Sequence, residues 1–147
     1  MKIQRALLII SFVVFCFAPI YELLAQKRSD DIVGLWFNEE KTGKIQVTEK
    51  DNRYFGTLTW VKIEPGDNGL DDENPDPKLR TKPLVGLNIL KNFKFEDGEY
   101  TDGTIYDPKN GKTYSCIMKL ESMDKLYVRG YIGFSLIGRT TYWTRIE

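Results

Sequence analysis

Residues 44–60 read KIQVTEKDNRYFGTLTW, two strand-like runs on either side of Asp51-Asn52. In the first run Ile45 and Val47 alternate with Lys44, Gln46 and Thr48. That two-residue period turns apolar side chains to one face of a strand and polar ones to the other. Asp and Asn tolerate the left-handed backbone that a two-residue hairpin turn requires. The chain then runs back over 53–63, with Tyr54, Gly56, Leu58 and Trp60 on one face and Phe55, Thr57, Thr59 and Val61 on the other. This is a β-hairpin.

The same rhythm extends outward in both directions. A strand over 32–37 precedes the hairpin and ends at the turn-rich 38–43. Further strands are expected at 84–90 (opening as a turn or short helix), 92–96, 100–106, 113–120, 125–132 and 140–146. Asn110-Gly111 between two such runs is a strong hairpin signal. On the strand 125–132, Leu126, Val128, Gly130 and Ile132 form the expected core face, opposite Tyr127, Arg129 and Tyr131. No amphipathic helical stretch exceeds two turns and there is no internal repeat. Eight or nine strands at near-regular spacing point to an all-β fold, a single small antiparallel up-and-down β-barrel. A two-sheet sandwich shares the periodicity. Closure into a barrel leaves no open edge. A barrel of about eight strands has room for packed side chains or for one small ligand.

One segment breaks the rhythm. Residues 64–83 hold Pro65, Pro75, Pro77 and Pro83 together with Asp67, Asp71, Asp72, Glu73 and Asp76. Proline removes a ladder donor and fixes φ, so this cannot be a central strand. Loops this long in compact domains tend to be functional or disordered, and four prolines favour a stiff one. Asp67, Asn68, Asp71, Asp72, Asn74 and Asp76 supply oxygen ligands that would suit calcium, but their spacing does not fit a helix-loop-helix site. A hydrogen-bonded loop in which Arg80 pairs with Asp72 or Asp76 accounts for the same residues, and no metal is expected.

The N-terminus is a separate matter. Lys2 and Arg5 precede an apolar run over 6–20, and Leu23-Leu24-Ala25 places a small residue ahead of Gln26. The run is about 15 residues, short of the roughly 20 that cross a bilayer as a helix. Residues 1–25 are therefore expected to be a cleaved secretory signal and 26–147 a single exported domain, periplasmic or extracellular, with no stable transmembrane span after cleavage. The bulk of Leu23 leaves an uncleaved anchor as the alternative. A lipid anchor on Cys16 is disfavoured by Phe15, since a small residue normally precedes such a cysteine. Of the two cysteines in the chain, Cys116 alone lies in the mature part, so no intrachain disulfide is expected. It alternates with Tyr114 and Met118 and reads as a small buried hydrophobe.

Composition narrows the chemistry. Lys plus Arg equals Asp plus Glu at 21 each, without the basic excess of a nucleic-acid binder. The chain has no histidine, so no Ser-His-Asp or Cys-His arrangement can form and the commonest metal ligand is missing. No Gly-x-Gly-x-x-Gly opens a helix, and no phosphate-cradling loop is present. No cofactor is expected. Paired carboxylates are the remaining route to hydrolysis; the candidates Asp72, Asp76, Asp102 and Asp107 all sit in turn-like sequence, where aspartate commonly bonds its own backbone.

Three ordered blocks carry a family resemblance. The first is 72–80 (DENPDPKLR) with 83–87 (PLVGL), the second 103–114 (GTIYDPKNGKTY), the third 128–133 (VRGYIG) with Gly138-Arg139-Thr140 and Trp143-Thr144-Arg145. Together they resemble the bacterial family called domain of unknown function 2147, small exported proteins, over nearly the whole mature chain. The resemblance implies a lipocalin-like barrel and export; it implies no particular activity. Gly34-Leu35-Trp36 is similar to the Gly-x-Trp of the wider lipocalin group, in which an arginine of the last strand lies across the tryptophan ring. Arg145 is in position for this structural closure on Trp36, with Arg139 as a second choice.

Aromatic content is the best sequence argument for binding. Trp36, Trp60, Tyr106, Tyr114, Tyr131 and Trp143 suit either a filled core or an apolar pocket. The leading expectation is a non-catalytic exported barrel that takes a small apolar or amphipathic molecule at its mouth. Arg80, Asp72, Asn74, Tyr106, Tyr131 and Arg139 are the candidate ligand contacts, and Arg80 would meet an anionic head group. The rival is a cell-envelope protein-interaction module with a packed barrel, presenting the 64–83 loop to its partner. A carboxylate-based hydrolase is the remote third.

Overall fold

The computed structural model describes residues 29–134 and 136–147. The expected signal over 1–25, with Cys16, lies outside them. A barrel unit comprises Ile32–Glu147; of the separate unit before it, only 29–31 are described. No helix among the described residues is long and apolar enough to cross a membrane.

Eight antiparallel strands close into one barrel in sequence order. They are β1 (Gly34–Phe37), β2 (Gly43–Lys50), β3 (Arg53–Val61), β4 (Asn88–Glu96), β5 (Glu99–Asp107), β6 (Lys112–Ser122), β7 (Lys125–Tyr131) and β8 (Gly138–Ile146). The seam pairs β1 with β8, with Trp36 opposite Arg145 and Phe37 opposite Thr144. The hairpin that decides the fold is β2–β3. Ile45 and Val47 are buried, and Asp51 and Asn52 both take positive φ, 55° and 57°, the backbone of a two-residue turn matched to strand twist.

Three details differ from the sequence expectation. The strands expected at 84–90 and 92–96 are one strand, β4, in which Asn92 adopts φ 66°. Trp60 does not share the buried face of Tyr54 and Leu58. A register shift pairs Leu58 with Ile45 but Trp60 with Lys44, leaving Thr59 unmatched. A bulge of this kind reverses the inside-outside alternation. Trp60 therefore sits outside, edge-on to Phe37 at 6.4 Å, with Lys44 Nζ 5.5 Å from its ring. Third, β7 ends at Tyr131, so Ile132, expected in the core, lies beyond the ladder and is exposed.

The two ends of the barrel are built differently. At one end the connections 51–52, 97–98 and 123–124 are all two residues long. At the other lie 38–42, 62–87, 108–111 and 132–137. The tight end is filled. Trp36, Tyr54, Phe93, Tyr100, Met118 and Leu126 are fully buried there, and Tyr54 meets Tyr100 edge-on at 5.0 Å. Phe93 lies directly on Gly103, where any side chain would overlap its ring. Leu126 and Val128 are buried as expected, as is Cys116. Burial pushes the Cys116 thiol up to about 12, away from thiolate chemistry.

The tight end is also where Trp36 meets Arg145. The guanidinium carbon stands 4.2 Å from the ring centroid, an attractive cation–π geometry. Arg145 Nη1 donates to the Val33 carbonyl at 3.0 Å and Nε donates to that of Met123. Trp36 Nε1 donates to the Ile32 carbonyl at 2.9 Å. Gly34 is required beside them. Its φ is +144°, and a Cβ there would overlap Arg145 Nη1.

Candidate functional site

The wide end holds a cavity of about 960 Å³. Its walls are inward-facing strand residues, chiefly Ile45, Leu58, Ile89, Ile105, Val128 and Trp143. They face inward in the buried phase of their strands, which on β5 is reset by an irregularity between Tyr100 and Gly103. Tyr106, Tyr114, Tyr131 and Trp143 are the aromatics of this lining, and Gly43, Gly130 and Thr141 add small residues to the wall.

Polar groups gather at the rim. Glu40 of 38–42 receives Lys109 Nζ at 2.6 Å and Arg139 Nη2 at 3.5 Å. The hydrogen bond and charge of Lys109, and then Arg139, hold the Glu40 carboxyl below the usual carboxylate range. Lys62 pairs with Glu64. Asn110 Nδ2 donates to the Tyr114 hydroxyl at 3.0 Å. An apolar cup with a charged lip suits a molecule with an apolar body and a polar end.

The 64–83 loop forms one side of this rim and is tied to the barrel. Asp71 is almost wholly buried, at 1% exposure. One of its oxygens accepts the Tyr106 hydroxyl at 2.7 Å and the other accepts Asn74 Nδ2 at 2.6 Å. Burial first, and then the bond to Asp71, raise the Tyr106 phenol well above its ordinary value. Leu70 bridges to Pro83, and the Glu73 carbonyl lies so close to Gly111 that no side chain fits there.

The expected ligand contacts divide. Asp72, Tyr106, Tyr131 and Arg139 line the cavity. Arg80 and Asn74 do not, and they work within the loop. Arg80 Nε donates to the Asn74 carbonyl at 2.8 Å, in place of the expected pairing with Asp72 or Asp76. The short 3-10 turn Pro77–Leu79 brings Arg80 back over Asn74, while Asp76 caps that turn by accepting from Lys78 N and Asp72 accepts from Asn68 Nδ2. The aspartates raised for calcium thus have hydrogen-bonded roles, and among the described residues no group of three or more acidic or cysteine side chains could hold a metal ion. Of the aromatics, Tyr106, Tyr114, Tyr131 and Trp143 reach the cavity, whereas Trp36 is in the filled end and Trp60 outside. Sequence reading missed Glu40 and Lys109, which sit in separate turns and meet only through the register of the closed barrel.

Residues 34–145 match the family described as "Uncharacterized protein conserved in bacteria (DUF2147)". The chain belongs to the DUF2147 family. Among solved structures it is similar to protein HP1028 from the human pathogen Helicobacter pylori, described as belonging to the lipocalin family. The TM-score is 0.69 at 21% identity, covering 79% of this chain and 83% of that one. The likeness is one of fold, and for this DUF2147 chain it makes the barrel lipocalin-like. No curated protein matches it.

Proposed function

We propose that this DUF2147 chain is an exported, non-catalytic carrier that holds one small apolar or amphipathic molecule in the open half of its barrel. The observation that carries the reading is the cavity of about 960 Å³, apolar on its walls and charged at its rim, within the size range of small-molecule sites. Export rests on the Lys2/Arg5 start and the apolar 6–20 run. Of the four carboxylates that the sequence offers for hydrolysis, Asp72 accepts from Asn68 Nδ2, Asp76 from Lys78 N, Asp107 from Lys109 N and Asn110 Nδ2, and Asp102 pairs with Lys94.

The polar end of the guest would sit among Glu40, Lys109 and Arg139, and its apolar body against Trp143, Ile105 and Ile89. The test is a chain beginning at Gln26, titrated with the apolar fluorophore N-phenyl-1-naphthylamine and with a mixed lipid extract, with native mass spectrometry reading what stays bound. Thr141→Trp, which puts an indole into the cavity, should abolish binding while the protein remains folded. Equal binding by the filled variant, or none by the wild type, would sink the proposal.

A further inference from the structure

The connection between β7 and β8 is the most apolar exposed feature among the described residues. Ile132, Phe134, Leu136 and Ile137 are 64%, 81%, 90% and 69% exposed. Isolated exposed hydrophobics need no explanation, but four together at one tip mark an interaction site. The tip is held out by its own hydrogen bonds: Ile132 N donates to the Ile137 carbonyl at 3.1 Å and Ile137 N to that of Phe134 at 3.0 Å. From its base, Arg129 Nη2 donates to the Leu136 carbonyl and Nη1 to Thr140 Oγ1.

Two further observations bear on what the tip meets. Ile132 and Ile137 belong both to the tip and to the cavity lining, so the apolar surface is continuous from the barrel interior to the outside. On this side of the mouth Arg129 and Arg139 stand at the base of the tip, Arg139 also pairing with Glu40, and no carboxylate falls within 125–146, whose other cations Lys125 and Arg145 lie at the tight end. The acidic side of the rim, with Glu64, Asp67, Asp72 and Glu73, hangs from β3–β4, which lies across the eight-strand ring from β7–β8. The mouth thus has an apolar lip with two arginines at its base, facing an acidic one.

We infer that the β7–β8 lip docks on an anionic lipid bilayer, with Phe134 and Leu136 entering the acyl boundary and Arg129 and Arg139 near the head groups. Apolar burial combined with cationic attraction is how peripheral elements hold to anionic membranes. Docked in this way, the cavity opens toward the lipid, and an apolar guest passes between bilayer and barrel without crossing water. The choice of a bilayer as the surface rests on the carrier reading above.

The experiment is co-sedimentation with vesicles of phosphatidylethanolamine and phosphatidylglycerol, 3:1. It uses the chain from Gln26, which contains all eight strands and the whole described core. Phe134→Ser/Leu136→Ser should lower the partition by about tenfold or more, since each substitution removes a large buried apolar surface from the docked state. Vesicles of phosphatidylcholine alone should retain less wild-type protein. Equal sedimentation of the double variant, or a wild type that stays in the supernatant, overturns the inference. So does a wild type that is dimeric by sedimentation velocity and becomes monomeric on the double substitution, which assigns the tip to a second copy. Neither residue lines the cavity, so N-phenyl-1-naphthylamine binding in vesicle-free buffer reads the carrier proposal separately. The double variant should bind that dye as the wild type does.

Discussion

The Tyr106 hydroxyl donates to the Asp71 carboxylate at 2.7 Å across 35 positions of sequence. This bond fastens the long β3–β4 connection to the wall of the barrel. Asp71 is buried, so the cost of losing its donor is the cost of leaving a carboxylate oxygen short of a partner in a dry place.

Tyr106→Phe should therefore destabilise the fold by about 1–3 kcal/mol, the usual penalty for orphaning a buried polar group. Tyr114→Phe, which loses an exposed bond to Asn110, should change stability little. Urea titrations of the two variants provide the comparison, and equal effects would refute the burial argument.

The same bond sets a pH dependence. The folded state holds the Tyr106 proton more tightly than the unfolded chain does, because burial and Asp71 both disfavour the phenolate. The unfolded chain therefore releases its proton first. Stability is fully present below the ordinary phenol value of about 10 and falls as pH rises above it. Melting temperatures of wild type and Tyr106→Phe should diverge below pH 10 and converge above it.

Cys116 should be inert while the barrel is folded. It is 1% exposed and its thiol is pushed up to about 12 by burial. In a chain from Gln26, where it is the sole thiol, reaction with an aromatic disulfide reagent should wait for unfolding and accelerate with urea. A fast reaction in native buffer would contradict its placement.

At the seam, Arg145→Lys should cost about 1–3 kcal/mol, because an ammonium cannot stack on Trp36 and fork to two carbonyls together. Gly34→Ala should be comparably damaging, from positive φ and overlap with the guanidinium. Thermal melts with near-ultraviolet circular dichroism on the tryptophans would measure both. A neutral Arg145→Lys would show that its charge alone matters.

Removing 67–76 separates the two roles considered for the loop. As a presented epitope it would come away with the melting temperature unchanged. As built, it carries Asp71, Asn74 and the Leu70–Pro83 bridge, and its loss should lower the melting temperature by several degrees. The melting curve of the deletion reads this directly.

The strands were legible because alternation is a local property. Ile45 and Val47 against Gln46, or Leu126 and Val128 against Tyr127, declare their faces in any register. Trp60 escaped because its run keeps perfect alternation in sequence, and the bulge arises from how β3 meets β2. Tyr106 and Arg139 were readable as polar-tipped residues close to strand ends. The Glu40–Lys109 pair was not, since 69 positions separate the two and only closure brings their turns together. Arg80 was misplaced because a polar loop can satisfy its own groups in several ways, and sequence does not rank a carbonyl acceptor against two nearby carboxylates.

Pairing in strict sequence order has one exception, the seam that joins the first strand to the last. A growing chain can therefore zip neighbour to neighbour, yet it carries two bare hydrogen-bonding edges until β8 is in place. Those nine residues turn an adhesive open sheet into a self-contained ring. A truncation that removes them would do more than shorten the protein: it would leave both edges ready to recruit other strands.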